Sequence, residues 1–551
     1  MAVIQKIPFD NKTPDRAKMI QYGENWPVVY VINDKREAYV GETVNFAVRS
    51  MQHLKNPERN KLDEITIISD DTFNKSVILD LESYLIGYMA ADGKYTLQNS
   101  TMGIQAHDYY NRAEYEQRFS EIWQQLKSQN LATNTISYIE NSDIFKFSPY
   151  KALTLDQYKV VDEVVEHLAN SFAKNENQSI VVRGGAGTGK SVLAIYLMKL
   201  LADTSVGIFP VDTEVDSGIN YIIENLKRLP KLKIGLVVPM QSLRFTVKNV
   251  FKSIHGLKAS MVLSPIEVPN EFYDVLIVDE AHRLRQRKAL AQYPSFDKNN
   301  KKLGLDNSGT ELDWILKCSK NQVFFYDDVQ TVKPSDVSKT KFDWLIKKGN
   351  TVLCTLESQL RCKGGNDYIE YIKQIFSCVP PKESKSFGNY DLKLYDNVED
   401  MVSAIKQKES EVGLCRVVAG YSWKWLSKED KTQKDILIGN SALQWNSVNK
   451  DWVNSDNSIN EVGCIHTIQG YDLNYAGVIF GNEIKYDEKK QCIVIDKSQY
   501  KDLQGKTALK NDDELKEYIV NIYVTLLSRG IKGTYMYACD EGLRNYLYRY
   551  F

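Results

Sequence analysis

The sequence lacks the features that mark secreted, membrane-spanning and zinc-binding proteins. Of its 551 residues the first 317 contain no cysteine, and the eight cysteines form no C-x-x-C pair. The six histidines are scattered, which argues against a histidine-based metal site. There is no run of 18 apolar residues and no apolar signal segment at the N-terminus. We therefore expect a reduced, cytoplasmic protein without a membrane span.

Neither sign of charge is in excess. Lys plus Arg number 70 and Asp plus Glu number 71, which gives a net charge of −1. Any surface that binds a polyanion must therefore be local. A hydrophobic content of 43% supplies several cores and excludes a disordered or fibrous chain. At roughly 150 residues per domain, the length indicates about three or four domains.

Short β-rich runs and helical periodicities organise the first 150 residues. Residues 1–25 are mixed and polar and are interpreted as an N-terminal arm. The β-β-α-β-α order that follows predicts a small α/β module over residues 26–130, and residues 131–150 are interpreted as a linker. The elements behind this order are strands at 28–32, 38–40 and 65–69 and helices at 46–54, 77–89 and 114–129.

Beyond residue 150 the chain alternates apolar runs with helical segments. Nearly continuous apolar strands between helices predict parallel sheets that are buried on both faces. We expect an α/β fold with two doubly wound domains, at residues 151–350 and 351–551. The runs lie at 180–182, 234–238, 275–278 and 323–326 in the first domain and at 352–355, 416–419, 436–438, 478–480 and 534–538 in the second.

A complete phosphate-loop motif follows the first of these runs and opens an apolar helix. Its residues are Gly184, Gly185, Ala186, Gly187, Thr188, Gly189, Lys190 and Ser191. Glycines let backbone N–H groups converge on phosphate oxygens, and the helix N-terminus adds partial positive charge. The motif predicts that Lys190 reaches the β- and γ-phosphates of ATP and that the Ser191 hydroxyl binds Mg²⁺.

An acidic pair follows the apolar run 275–278. Asp279 and Glu280 are therefore expected at the carboxyl end of a buried strand, where ligands bind in such sheets. Asp279 is predicted to hold Mg²⁺. Glu280 is predicted to polarise the attacking water as general base.

The order of further motifs resembles that of a superfamily 1 helicase motor. The resemblance implies two RecA-like domains, with Gln157 reading adenine, Gln330 against the γ-phosphate and Gly470 in the motif that couples nucleotide to strand. It also implies that Arg361 and Arg529 are arginine fingers, for which a planar and permanently charged guanidinium is suited. The segments that carry it are 153–157, 238–243, 326–330, 358–362, 466–470 and 526–530.

Two later segments, 417–425 and 460–472, make the likeness closer. They resemble blocks of the bacterial Schlafen-group helicase-like family, group 3 in particular. The first includes an alternation of Tyr421, Trp423 and Trp425. These rings either pack on one face of a strand or stack on bases.

Residues 26–110 resemble the GIY-YIG nuclease family. The two short motifs are Val28-Val29-Tyr30 and Tyr39-Val40-Gly41. Valines replace glycine and isoleucine in the first motif and isoleucine in the second. Each motif keeps its tyrosine, and helically spaced polar residues follow the second.

This resemblance implies a compact set of nuclease residues. Glu82 would hold one divalent cation, Mg²⁺ or Mn²⁺, on the scissile phosphate. Arg49 would stabilise the charge that develops there. Tyr30 or Tyr39 would relay the proton of the attacking water, and Asn99 would position the substrate or a tyrosine.

These expectations combine into an ATP-driven nucleic-acid motor fused to a metal-dependent endonuclease, with DNA favoured over RNA. Such a fusion suggests antiphage defence or restriction, and repair is the second context. Two other classes stay open, an NTP-gated nucleic-acid sensor with an inactive nuclease module and a protein-remodelling ATPase. Assembly as a homo-oligomer or with defence-system proteins is also open.

Overall fold

The computed structural model describes residues 2–99, 109–185, 187–209, 217–288, 290, 293–327, 335–357, 363–448, 451–468, 471–502 and 511–551. The chain forms two compact units. The first comprises Met1–Asn175, Val192–Ile234 and Val247–Met261, and the second comprises Glu176–Ser191, Gly235–Thr246 and Val262–Phe551. The domain limits expected from the sequence, at residues 150 and 350, differ from the limits of these units. The expected limits place each helix in the domain of its neighbouring strands, whereas the units do not.

A five-stranded sheet forms the centre of the first unit among the described residues. Its strand order is β1-β4-β2-β3-β5, antiparallel except for the parallel pair β3 and β5. The central strand β2 is buried along its whole length. The strands are β1 (Val3–Pro8), β2 (Val28–Asn33), β3 (Glu37–Thr43), β4 (Glu64–Ser69) and β5 (Thr96–Leu97).

The first 25 residues belong to this module and are not a separate arm. Residues Val3–Pro8 pair antiparallel with β4, and Thr13–Met19 forms helix α1, which contacts helix α2 (Phe46–Leu54). The strand β1 lies at the edge of the sheet, and only some of its side chains turn inward. A half-exposed edge strand gives no continuous apolar run, so its sequence resembles a polar arm.

Side-chain caps define the helices of this unit. Asn45 caps α2 and Asn74 caps α3 (Lys75–Asp92), in each case by accepting a bond from the third backbone N–H beyond it. The left-handed Gly93, with φ of 71°, ends α3. The predicted linker contains two helices that contact α3. The helices that follow are α4 (Arg112–Ser128), α5 (Ile136–Asn141), α6 (Asp143–Lys146) and α7 (Leu155–Lys174).

The second unit contains three sheets among the described residues, and the first of these carries the phosphate loop. Its strand order is β11-β6-β10-β9-β7-β8, and β6 pairs in parallel with both β10 and β11. The carboxyl ends of β6, β9 and β10 therefore meet at one edge. The strands are β6 (Gln178–Gly184), β7 (Ile234–Val237), β8 (Val262–Leu263), β9 (Tyr273–Val278), β10 (Ser319–Tyr326) and β11 (Thr351–Leu356).

Helices separate these strands along the chain, as expected for an α/β fold. A short 3-10 helix, Ala281–Arg283, also follows β9 directly. The α-helices are α8 (Lys190–Ser205), α9 (Ser217–Lys227), α10 (Gln241–Lys252), α11 (Tyr293–Lys302), α12 (Glu311–Cys318) and α13 (Lys339–Ile346).

The strand β11 corrects the predicted boundary at residue 350. Sequence analysis places the run 352–355 in the later domain, but β11 pairs with β6 from Thr351 opposite Ser179 to Leu356 opposite Gly184. The first sheet therefore extends to residue 356. An apolar run shows that a strand is buried but does not show which sheet it joins, because pairing partners lie far apart in sequence.

The second sheet of this unit has seven strands among the described residues. Its order is β12-β20-β17-β13-β16-β15-β14, and the pairs are parallel except for β14 with β15. The run 436–438 is therefore a hairpin strand and not a member of the parallel series, and Gly439 with φ of 55° lies in its turn. The strands are β12 (Asp391–Leu394), β13 (Cys415–Ala419), β14 (Ile436–Ile438), β15 (Ser441–Trp445), β16 (Glu461–Gly463), β17 (Leu473–Phe480), β18 (Ile484–Asp487), β19 (Cys492–Ile495) and β20 (Gly530–Ala538).

Buried clusters on this sheet form the core of the C-terminal residues. The strands β18 and β19 pair separately as a two-stranded sheet. The helices of this region are α14 (Gly365–Phe376), α15 (Val398–Val412), α16 (Ile465–Ile468), α17 (Asp512–Leu527) and α18 (Glu541–Leu547). The α/β class and the parallel sheets predicted from the sequence are confirmed. Among the described residues, no helix combines the length and the apolar character needed to cross a bilayer.

Glu311, at the start of α12, makes the stability of the second unit depend on pH. Its carboxylate accepts a hydrogen bond of 2.8 Å from the Arg285 N–H, and burial raises its pKa to about 7. A folded-state pKa above the unfolded one means that the stabilisation is complete below about pH 4.5 and is lost as pH rises through 7. We expect Glu311→Gln to remove about 1–3 kcal/mol of the pH dependence between pH 5 and pH 8.

Calorimetric melting temperatures at pH 5 and pH 8 check this expectation. The wild type should lose more stability between the two values than Glu311→Gln, whereas the same change at the exposed Glu429 should leave the wild-type difference intact. Equal pH dependence in wild type and Glu311→Gln would contradict it.

Candidate functional site

The phosphate loop connects the buried strand β6 to α8. Gly187 and Gly189 have φ of 82° and 80°, a left-handed backbone that side chains other than glycine rarely adopt. At Gly184 a Cβ atom would lie 2.6 Å from the Thr188 hydroxyl. The glycines are therefore needed for the loop to turn tightly over the end of the sheet. Ala186 lies outside the described residues.

Lys190 is buried, and the loop folds around its ammonium group. Its Nζ donates to the carbonyl oxygens of Gly184 and Gly185, each at 2.7 Å, and lies 3.1 Å from Asp327 Oδ2. Asp327 follows β10 directly and is also buried. The lysine is thus held at the phosphate-binding end of the loop by neutral and acidic oxygens, which a nucleotide phosphate could replace.

Ser191 and Asp279 lie together, as the sequence predicts for a magnesium site. Asp279 follows β9, its N–H donates to the Val237 carbonyl at 3.0 Å, and its carboxylate lies close enough to Ser191 for that side chain to lower its pKa. Burial and the neighbouring Glu280 raise the pKa of Asp279 to about 7. A buried carboxylate beside a hydroxyl is a hard oxygen donor set, and a divalent cation would relieve its unfavourable burial. These residues therefore fit the ion.

Glu280 has a left-handed backbone and lies beside a histidine. Its φ of 50° places a non-glycine residue in the left-handed region, and its carboxylate lies 3.2 Å from His282 Nε2. Burial raises the pKa of Glu280, but His282, Lys190 and Arg283 outweigh burial and leave that pKa well below its usual range. Glu280 is therefore an ionised carboxylate beside the proposed magnesium site.

The two motif tyrosines of the N-terminal module face one another across β2 and β3. Tyr39 lies opposite Ile32 in the strand register, and the rings of Tyr30 and Tyr39 are 6.5 Å apart. Arg49 on α2 lies close enough to both hydroxyl groups to act on them electrostatically. Burial raises the pKa of both phenols, whereas the charge of Arg49 acts in the opposite direction.

His53 lies beside the tyrosines, although sequence analysis assigned it only a place in the helical spacing after Arg49 and no role. Its Nε2 lies 2.7 Å from the Tyr30 hydroxyl, and its ring is 5.0 Å from that of Tyr39. Burial, with the charges of Arg59 and Arg49, lowers the pKa of His53 to about 3, so the imidazole is neutral. A helical spacing of four from Arg49 was the available signal, because it places both residues on the same face of α2.

Glu82 is a buried carboxylate on α3. Burial and the nearby Glu42 raise its pKa to about 8, while Lys75, which pairs with Glu42 at 2.7 Å, lowers it. Among the described residues no three of His, Cys, Asp and Glu cluster to hold a metal, so Glu82 would be the main protein ligand there. Its strained burial fits a site that a divalent cation completes with water and substrate oxygens.

Asn99 binds the backbone beside Tyr39. Its Oδ1 accepts from the Val40 N–H at 3.0 Å, and its Nδ2 donates to the Val40 carbonyl at 2.8 Å. Both ends of the amide are therefore used to hold β3. Of the two roles considered for Asn99, this contact favours the positioning of a tyrosine.

Gly41 is required by the packing of Tyr30. A Cβ atom at Gly41 would lie 2.4 Å from the Tyr30 hydroxyl oxygen, within a buried site. We expect Gly41→Ala to displace Tyr30, to destabilise the first unit by about 1–3 kcal/mol and to impair any reaction that uses this hydroxyl. Thermal unfolding measures the effect.

The matched control is Gly87→Ala on α3, where the added methyl group would meet Phe145 at an ordinary 3.9 Å. This change should be neutral or stabilising by up to about 1 kcal/mol. Equal stability of the two variants would show that Tyr30 can move without cost.

Comparison with known families identifies the larger, C-terminal part of the chain. The family model described as Schlafen group 3, DNA/RNA helicase domain matches residues 177–540. The chain belongs to this family. It therefore carries a helicase-type ATPase motor, for which ATP and a divalent metal are the cofactors. The nuclease-like module lies before the matched residues.

Similar proteins and structures are also found. The uncharacterized protein YPL245W of Saccharomyces cerevisiae is 28% identical over 434 residues, covering 72% of this chain and 90% of that protein. A crystal structure of Pif1 helicase from Bacteroides in complex with ADP-AlF3 and ssDNA is 12% identical, covers 68% of this chain and 91% of that chain, and has a TM-score of 0.25. A crystal structure of a DNA replication initiation factor is 14% identical, covers 47% of this chain and 61% of that chain, and has a TM-score of 0.20.

The structure describes only some of the remaining predicted residues of the Schlafen group 3 motor. Gln157 lies in the first unit, where its side chain closes a capping box with Thr154 at the start of α7. Arg529 is buried in the second unit, and its Nη1 lies 3.4 Å from the Tyr471 carbonyl. Three predicted residues lie outside the described ones: Gln330, Arg361 and Gly470.

The aromatic alternation of this motor packs within the protein. The rings of Tyr421 and Trp423 lie 5.8 and 6.4 Å from that of Trp445, and the Tyr421 hydroxyl donates to Cys464 Sγ at 3.1 Å. Trp425 also packs against the same core. These contacts favour the structural interpretation of the three rings over base stacking.

Proposed function

We propose that the protein is an ATP-driven nucleic-acid translocase fused to a metal-dependent endonuclease. The motor half follows from family membership together with one observation, the contact between Ser191 and Asp279 beside Lys190. In this proposal Lys190 leaves Asp327 to bind the β- and γ-phosphates, and the loop N–H groups bind the remaining phosphate oxygens.

Hydrolysis is assigned to residues at the carboxyl ends of the strands. Ser191 and Asp279 would hold Mg²⁺, which neutralises charge on the phosphates. Glu280 would accept the proton of the attacking water, since its neighbours keep it ionised. Arg361 and Arg529 would supply the cations for the transferred phosphoryl group, with Gln330 and Gly470 reporting the nucleotide state and Gln157 reading adenine.

The nuclease half is supported by the convergence of four side chains in the first unit. Tyr30, Tyr39, Arg49 and His53 come from two strands and one helix. Tyr30 hydrogen-bonds to His53, and the charge of Arg49 acts on both tyrosines. A charged guanidinium beside two buried phenols and a neutral imidazole, with shifted pKa values, is typical of a functional site. This arrangement can bind a phosphodiester, move a proton and stabilise negative charge.

The roles in phosphodiester cleavage follow from this geometry. Arg49 would bind the scissile phosphate, and Tyr30, which shares a hydrogen bond with His53, would pass a proton from the attacking water to the imidazole. Asn99 would hold the backbone next to Tyr39. A divalent cation at Glu82, Mg²⁺ or Mn²⁺, would polarise the phosphate when bound.

We infer that foreign DNA is the substrate and that antiphage defence or restriction is the context, since a motor coupled to a nuclease can cut nucleic acid along which it moves. RNA and repair intermediates are the alternatives. A chain with a net charge of −1 suits a nucleic-acid partner that is engaged at defined sites and not along a wholly basic surface.

The test is cleavage of labelled single- and double-stranded DNA and RNA in Mg²⁺, with and without ATP. Wild type and Lys190→Ala are compared, and ATP hydrolysis is measured in the same reactions. Cleavage together with hydrolysis that nucleic acid stimulates supports the proposal, and loss of both in Lys190→Ala shows that they are coupled. Stimulated hydrolysis without cleavage of any substrate would indicate an NTP-gated sensor, and hydrolysis that no nucleic acid stimulates would indicate a protein-remodelling ATPase.

A further inference from the structure

An arginine outside the predicted nuclease set lies against Tyr39. The guanidinium carbon of Arg59 is 3.7 Å from the centroid of the Tyr39 ring, a close cation–π contact. Arg59 belongs to the short 3-10 helix Arg59–Lys61, which follows α2 along the chain. Two arginines from different elements therefore approach Tyr39, Arg49 at its hydroxyl group and Arg59 over its ring.

The turn that carries Arg59 is held in place. The Asn56 side chain accepts from the backbone N–H groups of Glu58 and Arg59 at 3.0 and 3.2 Å, and the Asn60 N–H donates to the Asn56 carbonyl at 3.0 Å. The Leu62 N–H closes the turn on the Arg59 carbonyl at 3.1 Å. The position of Arg59 over Tyr39 is thus set by backbone contacts and not by a flexible loop.

The guanidinium of Arg59 has unused hydrogen-bonding capacity. Its Nε is buried and has no hydrogen-bond partner among the described residues. A buried donor without an acceptor is unfavourable, and a phosphate oxygen that reached the guanidinium would supply one. The charge of Arg59 also acts on the group around Tyr30, because Arg59 lowers the pKa of the buried His53.

We propose that Arg59 is a phosphate-binding residue of the nuclease site, which holds the phosphodiester next to the scissile one. The inference rests on the proposed nuclease function. The charge of Arg49 acts on both tyrosine hydroxyl groups, so Arg49 stands at the reacting centre, whereas Arg59 lies over the face of the Tyr39 ring, to one side of that centre. A nucleic-acid backbone presents its phosphates in a row, and a planar guanidinium binds a phosphate with two parallel N–H groups.

This subsite gives the nuclease a second contact with the same strand. A flanking phosphate bound by Arg59 orients the scissile phosphate towards Arg49 and the Tyr30–His53 pair. Its effect is expected on cleavage of polymers, since a substrate with one phosphodiester offers nothing for Arg59 to bind.

The experiment compares full-length wild type, Arg59→Ala, Arg59→Lys and Lys61→Ala on strands that carry one methylphosphonate, an uncharged linkage, at each position near the cut. Lys61 lies in the same turn as Arg59 and pairs with the exposed Glu58, so Lys61→Ala is the matched control. Arg59→Ala is expected to cut the unmodified strand about 10–100-fold more slowly than wild type. Melting temperatures establish that the variants are folded.

The subsite is identified by testing each protein variant on each strand that carries a methylphosphonate. One methylphosphonate position should slow wild type and Lys61→Ala by a similar factor but should not slow Arg59→Ala further, and Arg59→Lys should lie between. If the losses from the variant and the linkage multiply, or if Arg59→Ala cuts like wild type, the subsite does not exist and Arg59 only packs on Tyr39. If wild type cuts no substrate, the proposed nuclease function fails together with the subsite.

Discussion

Replacing Glu82 with glutamine is expected to slow nucleic-acid cleavage by about 10³-fold or more while ATP hydrolysis continues, because a divalent ion at a phosphate contributes several kcal/mol. Glutamine keeps the size of the side chain and loses the charge that attracts a cation. Glu82 is buried in the first unit, and burial raises its pKa to about 8, so the neutral amide should be tolerated by the fold.

The control is the same change at the exposed Glu121 on α4, which should leave cleavage unaffected. Rates of product formation and of ATP hydrolysis are measured for both variants and wild type over a range of Mg²⁺ and Mn²⁺ concentrations. Cleavage by Glu82→Gln at the wild-type rate would show that another residue carries the metal or that the nuclease activity comes from a contaminant.

Replacing Glu280 with glutamine is expected to slow ATP hydrolysis by about 10²–10⁴-fold, the usual contribution of a general base. ATP binding should persist, since the phosphate loop and the contact of Ser191 with Asp279 remain. The loss should therefore appear in kcat, with little change in KM. The amide keeps an oxygen for the Glu280–His282 contact of 3.2 Å, so the backbone turn should survive.

Glu271→Gln, at an exposed position before β9, is the matched control for this second variant. Hydrolysis is followed by phosphate release, and nucleotide binding is followed by the fluorescence of a labelled ATP analogue. Should Glu280→Gln hydrolyse ATP normally while the control does the same, the proton must go to another group, and Asp327 beside Lys190 would be the next residue to change.

The motor could be predicted well from the sequence because its chemistry is carried by contiguous residues. The glycines of the phosphate loop, Lys190 and Ser191 lie within eight positions, and Asp279 directly follows its strand. Motifs with such local spacing can be recognised without knowledge of the fold. The pair of Lys190 with Asp327 was not predicted, because the two residues are 137 positions apart and meet only when β6 and β10 pair.

The tyrosine and arginine group of the first unit depends more on tertiary structure than on local sequence. Tyr30, Tyr39 and Arg49 could be selected from two short motifs and a helical spacing, but their spatial arrangement depends on the register of β2 with β3. His53 and Arg59 gave weak signals, since a single histidine or arginine on a helical turn is usually structural. Only the packing of α2 and the following turn against the strands shows that both side chains face the tyrosines.

What the sequence determined by itself was the α/β class, the phosphate loop with its acidic pair, and the order of the motor motifs, because each rests on periodicity or on neighbouring residues. Tertiary structure decided the questions that depend on pairing between distant segments. It placed the first residues in a sheet as β1 and joined β11 to the first parallel sheet. It also brought His53 and Arg59 to the tyrosines, since hydrogen bonds between strands and the packing of helices against them connect residues that no local pattern relates.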